Sequence, residues 1–242
     1  MHDTSQEPIK TSQDSINNTI LKNLPTADFK RLFSKLQKID LPVFKYCYHS
    51  EQPITHVYFP EYAVASVVSS TSDGHNIEIG IIGNEGMVGV DVLLGVDSSP
   101  NACFIQIPNG GYRMTTQAIR EEFEQGGELQ KSLLRYTHAL MTQISQTALC
   151  NRLHLIEQRL ARWLLMCHDR TKGDVIDLTQ EFLSLMLGVN RPTVTVAASI
   201  LQGAGFIKYS RGKIIMLDRE ELEDFTCECY KIVKPEYDRI AQ

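Results

Sequence analysis

The chain has 242 residues, 43% of them hydrophobic and 22% charged, with a formal net charge of −5. That length accommodates one large domain or two smaller ones, each with its own core. No run of about 18 uncharged apolar residues occurs, so no transmembrane helix is expected, and the acidic balance argues against indiscriminate nucleic-acid binding. Residues 1–14 are polar, lack the apolar core of a secretory signal and are expected to form a disordered tail. A cytoplasmic location is expected. Cys47, Cys103, Cys150 and Cys167 are scattered singly, as reduced thiols would be. Cys227 and Cys229 are the one close pair. With no further Cys or His cluster nearby in sequence, no metal site and no cofactor are expected.

Ile16, Ile20, Leu24, Phe29, Leu32, Phe33 and Leu36 recur at helical spacing over residues 15–39, and Thr26 is a plausible helix cap. From about residue 42 to 118 the pattern becomes that of short strands: His56 to Phe59, Ala63 to Ser70, Ile77 to Ile81 and Phe104 to Ile107. Asp73-Gly74 reads as a hairpin turn, and Pro108-Asn109-Gly110-Gly111 as another. Strands at this spacing predict a sandwich or jelly-roll barrel over residues 15–125.

Residues 126–154 predict one long helix. Leu129, Leu133, Tyr136, Leu140, Ile144 and Thr147 alternate in steps of four and three, a heptad-like seam. A helix this long, roughly 35 Å at about 1.5 Å per residue, is hard to cover within one small domain. Dimerisation through that seam is expected; packing on the chain's own β-rich domain is the alternative. Asp169 to Asp177 reads as a polar loop, and Glu121-Glu122 and Glu220-Glu221 as solvated faces.

Residues 178–217 are the most informative. Thr179 can cap a short helix, Gln180 to Leu187, which Gly188 stops. Asn190 can cap a second, with Arg191 and Pro192 in its first turn. Two strands follow, Phe206 to Tyr209 and Lys213 to Met216, joined by Ser210-Arg211-Gly212. Helix, glycine turn, helix and hairpin in that order make a winged helix-turn-helix. Between Arg191 and Lys213 the chain carries Arg191, Lys208, Arg211 and Lys213 and no Asp or Glu. The expected partner is double-stranded DNA. Arg191, Thr193 and Thr195 would read bases from the second helix, and Thr179, Gln180, Lys208, Arg211 and Lys213 would hold phosphates.

This stretch resembles the C-terminal domain of the CRP/FNR transcription regulators. The resemblance is carried by Leu178-Thr179-Gln180-Glu181, by Leu187 to Val194, by the wing ending Ile214-Ile215-Met216-Leu217-Asp218, and upstream by Glu157 to Leu164. It implies an α+β chain: an N-terminal jelly-roll similar to a cyclic-nucleotide-binding domain, a long dimerisation helix, and a winged helix-turn-helix over residues 155–242. It also implies a homodimer that regulates transcription, with RNA polymerase as a further partner, and not an enzyme. Two positions depart from the family's recognition helix: Pro192 stands where a Glu is usual, and Val196 where an Arg is. The nucleotide cassette is degraded. Gly89 matches its glycine, but Val90 replaces the ribose-binding Glu, and Pro100-Asn101 stands where an Arg-Ser or Arg-Thr pair would hold the phosphate. Residues 88–104 contain no Lys or Arg, and Asp91 and Asp97 would repel an anion. Cyclic-nucleotide binding of the family's usual kind is therefore not expected, and the effector is unknown. No N-terminal cysteine cluster suits an iron–sulfur sensor, and Cys47, His49 and His56 read as structural residues rather than haem ligands. A constitutive regulator with a structural β domain, or a ligand-binding module whose helix-turn-helix serves protein contacts, are the alternatives.

Overall fold

The computed structural model describes residues 12–241. Most of the expected tail lies outside the described residues, but its end does not. Gln13–Ser15 form a 3-10 turn capped by the Ser12 side chain, and the Gln13 amide donates to the Leu24 carbonyl at 2.7 Å. Two short helices follow, α1 (Thr19–Lys22) and α2 (Thr26–Phe33). Pro25 occupies the cap position and Thr26, expected as the cap, is the first helical residue, so the helix starts one residue earlier than the spacing implies. The expected helix to residue 39 stops earlier, because Gln37–Leu41 is already a strand, β1.

The β-rich domain adds β2 (Tyr46–Tyr48), β3 (His56–Pro60), β4 (Val64–Ser70), β5 (Asn76–Ile82), β6 (Ala102–Ile107) and β7 (Asn109–Thr115). Residues 109–111, read as a turn, are the first residues of β7. They pair with β1 and β3 instead, Gly111 lying opposite Ile39 and Pro60. One antiparallel sheet has the order β1-β7-β3, the other β2-β6-β4-β5. Val57, Phe59, Tyr112 and Met114 of the first join Ala65, Val67, Cys103 and Ile105 of the second in one core.

The second sheet is covered on both faces. Val64, Val68 and Ile81 belong to a different core, shared with Leu160, Trp163, Leu164, Phe182 and Leu187 of the C-terminal half. This is why residues 63–68, polar only at Ser66, do not alternate as a half-exposed strand would. Between these surfaces lies a buried polar chain. Trp163 Nε1 donates to Glu78 at 2.6 Å, and Ser66 Oγ contacts the other Glu78 oxygen and lies 2.7 Å from Gln106 Oε1. Burial pushes the Glu78 carboxyl up to about 7, against the pull of its hydrogen bonds from Ser66 and Trp163. In its protonated form Glu78 donates to Ser66, which donates to Gln106, and every oxygen is satisfied.

Helix α3 (Thr116–Glu124) leads into α4 (Gly127–Leu153), the long helix. Glu122 on α3 is not a solvated carboxylate. It is 1% exposed and bonds Arg31 Nε at 2.8 Å and Lys35 Nζ at 2.9 Å. Burial works to raise its carboxyl, but those two cations outweigh it and hold the group below its usual range.

The seam expected to dimerise is used inside the chain. Leu129, Leu133, Tyr136, Leu140 and Thr147 are buried, and Ile144 packs on the same core. A heptad row identifies a stripe that must be covered but not what covers it. Here the β-rich domain covers it, together with α9 (Glu228–Asp238), whose Val233 and Tyr237 join that core. The opposite face of α4 is left exposed, with Leu134 (51%), Met141 (62%), Leu149 and Leu153.

The C-terminal half comprises α5 (Ile156–His168), β8 (Val175–Asp177), α6 (Gln180–Leu187), α7 (Arg191–Gly203), β9 (Ile207–Ser210), β10 (Lys213–Met216) and α8 (Arg219–Phe225) before α9. The polar loop after α5 ends in a strand: β8 pairs with β10, giving the order β8-β10-β9. His154 and Leu155 adopt extended backbone between α4 and α5 and break one helix into two.

One cation ties the halves together. Arg170, 4% exposed, bonds Glu85 at 2.9 Å and the Met166 carbonyl at 2.7 Å, and lies 4.8 Å from the centre of the Tyr237 ring. Gly83 makes room for it, since a Cβ there would fall 2.6 Å from Arg170 Cγ. Arg170→Ala strands the buried Glu85 and is expected to cost about 3–5 kcal/mol in urea unfolding. Adding Glu85→Gln should recover part of that loss, whereas no recovery would show that Arg170 acts by packing alone.

A second expectation concerns pH. The folded-state pKa of Glu78 is raised from 4.5 to about 7. Its contribution is therefore fully present below the lower value and is lost as pH rises through the higher one. Wild-type stability should fall across that window by at most about 3 kcal/mol, the equivalent of the shift. Glu78→Gln should flatten the fall in denaturant midpoint, and an unchanged fall would remove Glu78 as its cause.

Candidate nucleic-acid interface

The helix-turn-helix is built by its caps. Thr179 Oγ accepts from the Phe182 amide at 3.2 Å and starts α6. Gly188, at φ +62°, reverses the chain where a side chain would be strained and would also meet Ile77 of β5. Asn190 Oδ1 accepts from the Thr193 amide at 3.0 Å and starts α7, with Pro192 in the first turn. Val194, Ala197, Ala198 and Leu201 turn inward to the core shared with α5 and α6.

That anchoring decides which α7 residues face outward. Arg191, Pro192, Thr195, Val196, Ser199 and Ile200 are exposed, in two rows at four-residue spacing. Thr193 is half-buried, and its hydroxyl donates to Asn190 at 2.7 Å. Its polar group is committed to the cap, away from the face that carries Arg191. Thr195 stays exposed, its hydroxyl held by Gln180 Oε1 at 3.0 Å and by the Arg191 carbonyl at 3.1 Å. Val196, 60% exposed and singled out in the sequence only as a lost arginine, and Ser199, which was not named there, also belong to the outward face. Helical spacing from Arg191 and Pro192 would have found both.

A cleft of about 420 Å³ opens beside this face, lined by Thr179, Gln180, Arg191, Tyr209, Arg211 and Gly212. Three of the five expected phosphate residues meet there with Arg191. The wing brings Arg211 to it: Arg211 and Gly212 take φ +52° and +77° at the tip of the tight β9–β10 hairpin. Lys208 and Lys213 are exposed on the wing strands, outside that lining. Lys213 pairs with Asp177 at 3.0 Å, which occupies part of its charge.

The cassette positions form a different structure. Gly89 (φ +90°) opens a 3-10 segment, Val90–Leu94, in which Val90 and Val92 point into the core. Asp91 is half-buried. Pro100 is exposed and its carbonyl accepts from Ser50 at 2.7 Å, while the Asn101 amide donates to Ser99 Oγ at 3.4 Å. One cation does reach this loop, from α3: Arg120 donates to the carbonyls of Val92 and Val96 and to Asp97, at 2.9, 3.0 and 2.6 Å. Twenty-three residues separate Arg120 from Asp97, and nothing in the sequence pattern pairs them. His49 stacks on Tyr46 at 4.1 Å and His56 bonds Thr55 Oγ1 at 3.0 Å.

The pair Cys227 and Cys229 is not isolated. Folding brings Cys150 and His154 to it, and the four ligand atoms lie within 4.8 Å of one another. The sequence did not show these neighbours of the pair because they lie more than seventy residues away.

Among the described residues, no helix is long and apolar enough to cross a membrane. A comparison with curated protein sequences yields no match. Residues 158–225 match the Crp-like helix-turn-helix domain family. Among solved structures, a CRP/FNR-family transcriptional regulator from Eubacterium rectale is similar, with 15% identity and a TM-score of 0.64, covering 85% of this chain and 96% of its own. FixK2 from Bradyrhizobium japonicum has 16% identity and a TM-score of 0.67, with 79% and 98% covered. A mutant of CooA from Carboxydothermus hydrogenoformans has 13% identity and a TM-score of 0.62, with 88% and 97% covered. Residues 158–225 are thus a Crp-like helix-turn-helix domain, borne by a chain with the fold of the CRP/FNR transcriptional regulators.

Proposed function

We propose that this protein is a homodimeric transcription regulator that binds double-stranded DNA sequence-specifically, with α7 in the major groove. The observation that carries this reading is the outward face of α7 beside the cleft between α6 and the wing. Arg191, in the first turn, can give two parallel hydrogen bonds to guanine O6 and N7. Thr195 and Val196 offer methyl groups to a thymine methyl, and Ser199 extends the row. Thr179, Gln180 and Arg211 suit the flanking phosphates, and Lys208 adds charge without reading sequence. Thr193 is assigned to the cap and not to a base. RNA polymerase is the proposed further partner of the DNA-bound dimer.

The proposed dimer contact is the exposed row Leu134, Met141, Leu149 and Leu153. A soluble chain gains by covering such a stripe, and a second copy of α4 presents the same stripe in the complementary sense. Two copies would then set two α7 helices about one DNA turn, roughly 34 Å, apart. Met141→Glu should convert the dimer to a folded monomer in light scattering. Leu133→Asp, on the inward face, should instead unfold the chain, and a dimer that survives Met141→Glu would remove α4 from the contact.

The β-rich domain is proposed not to hold cyclic nucleotides in the family's way, since Val90 is packed and Arg120 already serves the loop. One experiment tests both readings: selection of binding sites from random DNA, followed by fluorescence anisotropy on the selected site. Arg191→Ala should cost about 1–3 kcal/mol on that site and relax the choice at one base. Lys208→Ala should weaken all sequences alike and reduce the salt slope by about one. Cyclic AMP or cyclic GMP should leave the affinity unchanged. A saturable effect would overturn the reading of the cassette, and a dimer without sequence preference would point to a module whose helix-turn-helix serves protein contacts.

A further inference from the structure

We infer that Cys150, His154, Cys227 and Cys229 form a tetrahedral zinc site that clamps the point where the helix-turn-helix domain joins the rest of the chain. The ligands come from two helix ends. Cys150 lies in the last turn of α4 and His154 ends that helix four residues on, so both face one side. Cys227 is the cap residue of α9 and Cys229 is in its first turn.

The geometry suits a single ion. Cys150 Sγ and Cys227 Sγ are 3.5 Å apart, and Cys229 Sγ is 3.5 Å from His154 Nδ1. Four donors on a tetrahedron with metal–sulfur bonds of about 2.3 Å lie about 3.8 Å from each other. Donors this close hold one ion; an iron–sulfur cluster would need its thiolates on separate irons. Three of the four residues are buried cysteines that form a core cluster of their own, set apart from the two large apolar ones.

The surroundings are those of a metal site. His154 Nε2 lies 3.3 Å from a Glu228 oxygen. A carboxylate there accepts a hydrogen bond from Nε2–H and so leaves Nδ1 free to ligate, the usual outer partner of a ligating histidine. Arg162 is 6% exposed, bonds Thr147 through one nitrogen, and has no partner for Nε or for its other terminal nitrogen. Three thiolates, a neutral imidazole and a divalent ion sum to a charge of about −1, which that guanidinium offsets. On binding, three thiol protons leave to solvent and no electron moves.

The position gives the ion its role. Cys150 and His154 precede the Crp-like domain at residues 158–225, and Cys227 and Cys229 follow it. The ion closes that segment on itself across a sequence separation of 77 residues. It also pins the extended break at His154 and Leu155, where α5 leaves α4. This holds whether or not the protein binds DNA.

The test uses the full chain, reduced, stripped by a chelator, and titrated with Co²⁺ as a spectroscopic stand-in. One Co²⁺ per chain is expected, with intense tetrahedral d–d bands, a thiolate-to-cobalt charge-transfer band, and displacement by Zn²⁺. Cys229→Ser should remove about a third of the charge-transfer intensity, one thiolate of three. Cys47→Ser should leave it intact. His154→Gln should keep the charge transfer but lose affinity, which keeps the test open if a cysteine variant fails to fold. Chelation should lower the Tm, and Zn²⁺ should restore it. A folded wild-type chain that binds no Co²⁺, or whose Co²⁺ spectrum lacks thiolate charge transfer, overturns the site.

Discussion

The buried guanidinium of Arg170 is the contact on which the arrangement of the two halves depends. A buried cation is costly unless opposite charge and hydrogen-bond partners meet it. Here the partners come from three places: Glu85 in the loop after β5, the Met166 carbonyl on α5, and the Tyr237 ring on α9. The charge cannot be satisfied by any one half alone. The end of the chain must therefore return to the domain in which the chain began. This requirement also accounts for the missing side chain at Gly83, where Arg170 passes.

The second sheet carries the consequence. With α5 and α6 held on its outer face, β4 and β5 are buried on both sides, and the polar groups between them must pair internally. Glu78, Ser66, Gln106 and Trp163 do so, with Glu78 held near neutrality by its burial. Such a network has a direction and a register that an apolar contact lacks. It fixes α5, through Trp163, against the sheet, and Gly188 packs separately against Ile77, so the turn into α7 meets the β-rich domain as well as its own caps.

Two surfaces are left outward by that packing: the exposed face of α7 with its cleft, and the apolar row on the far side of α4. Between them lies the junction at residues 150–155. The four metal-ligating side chains gather at this junction, with Glu228 and Arg162 behind them. Along the chain, the α4 surface and the α7 surface are joined through this point.

By itself the sequence determined the local elements and their punctuation. The caps at Thr179 and Asn190, the reversal at Gly188, the tight wing turn and the long helix all follow from rules that act within a few residues. Arg191 and Arg211 could be found the same way. The tertiary structure alone decided what covers each apolar stripe. A heptad row looks the same whether a second chain or the chain's own sheet buries it, so the seam from Leu129 to Thr147 was legible and its partner was not. It also decided which polar groups meet. Thr193 turned to the cap, Glu122 met Arg31 and Lys35, Arg120 reached the cassette loop, and Cys150 and His154 joined Cys227 and Cys229. Each of these pairings, the cap apart, spans tens of residues, and sequence spacing carries no information about contacts made only once the chain has closed on itself.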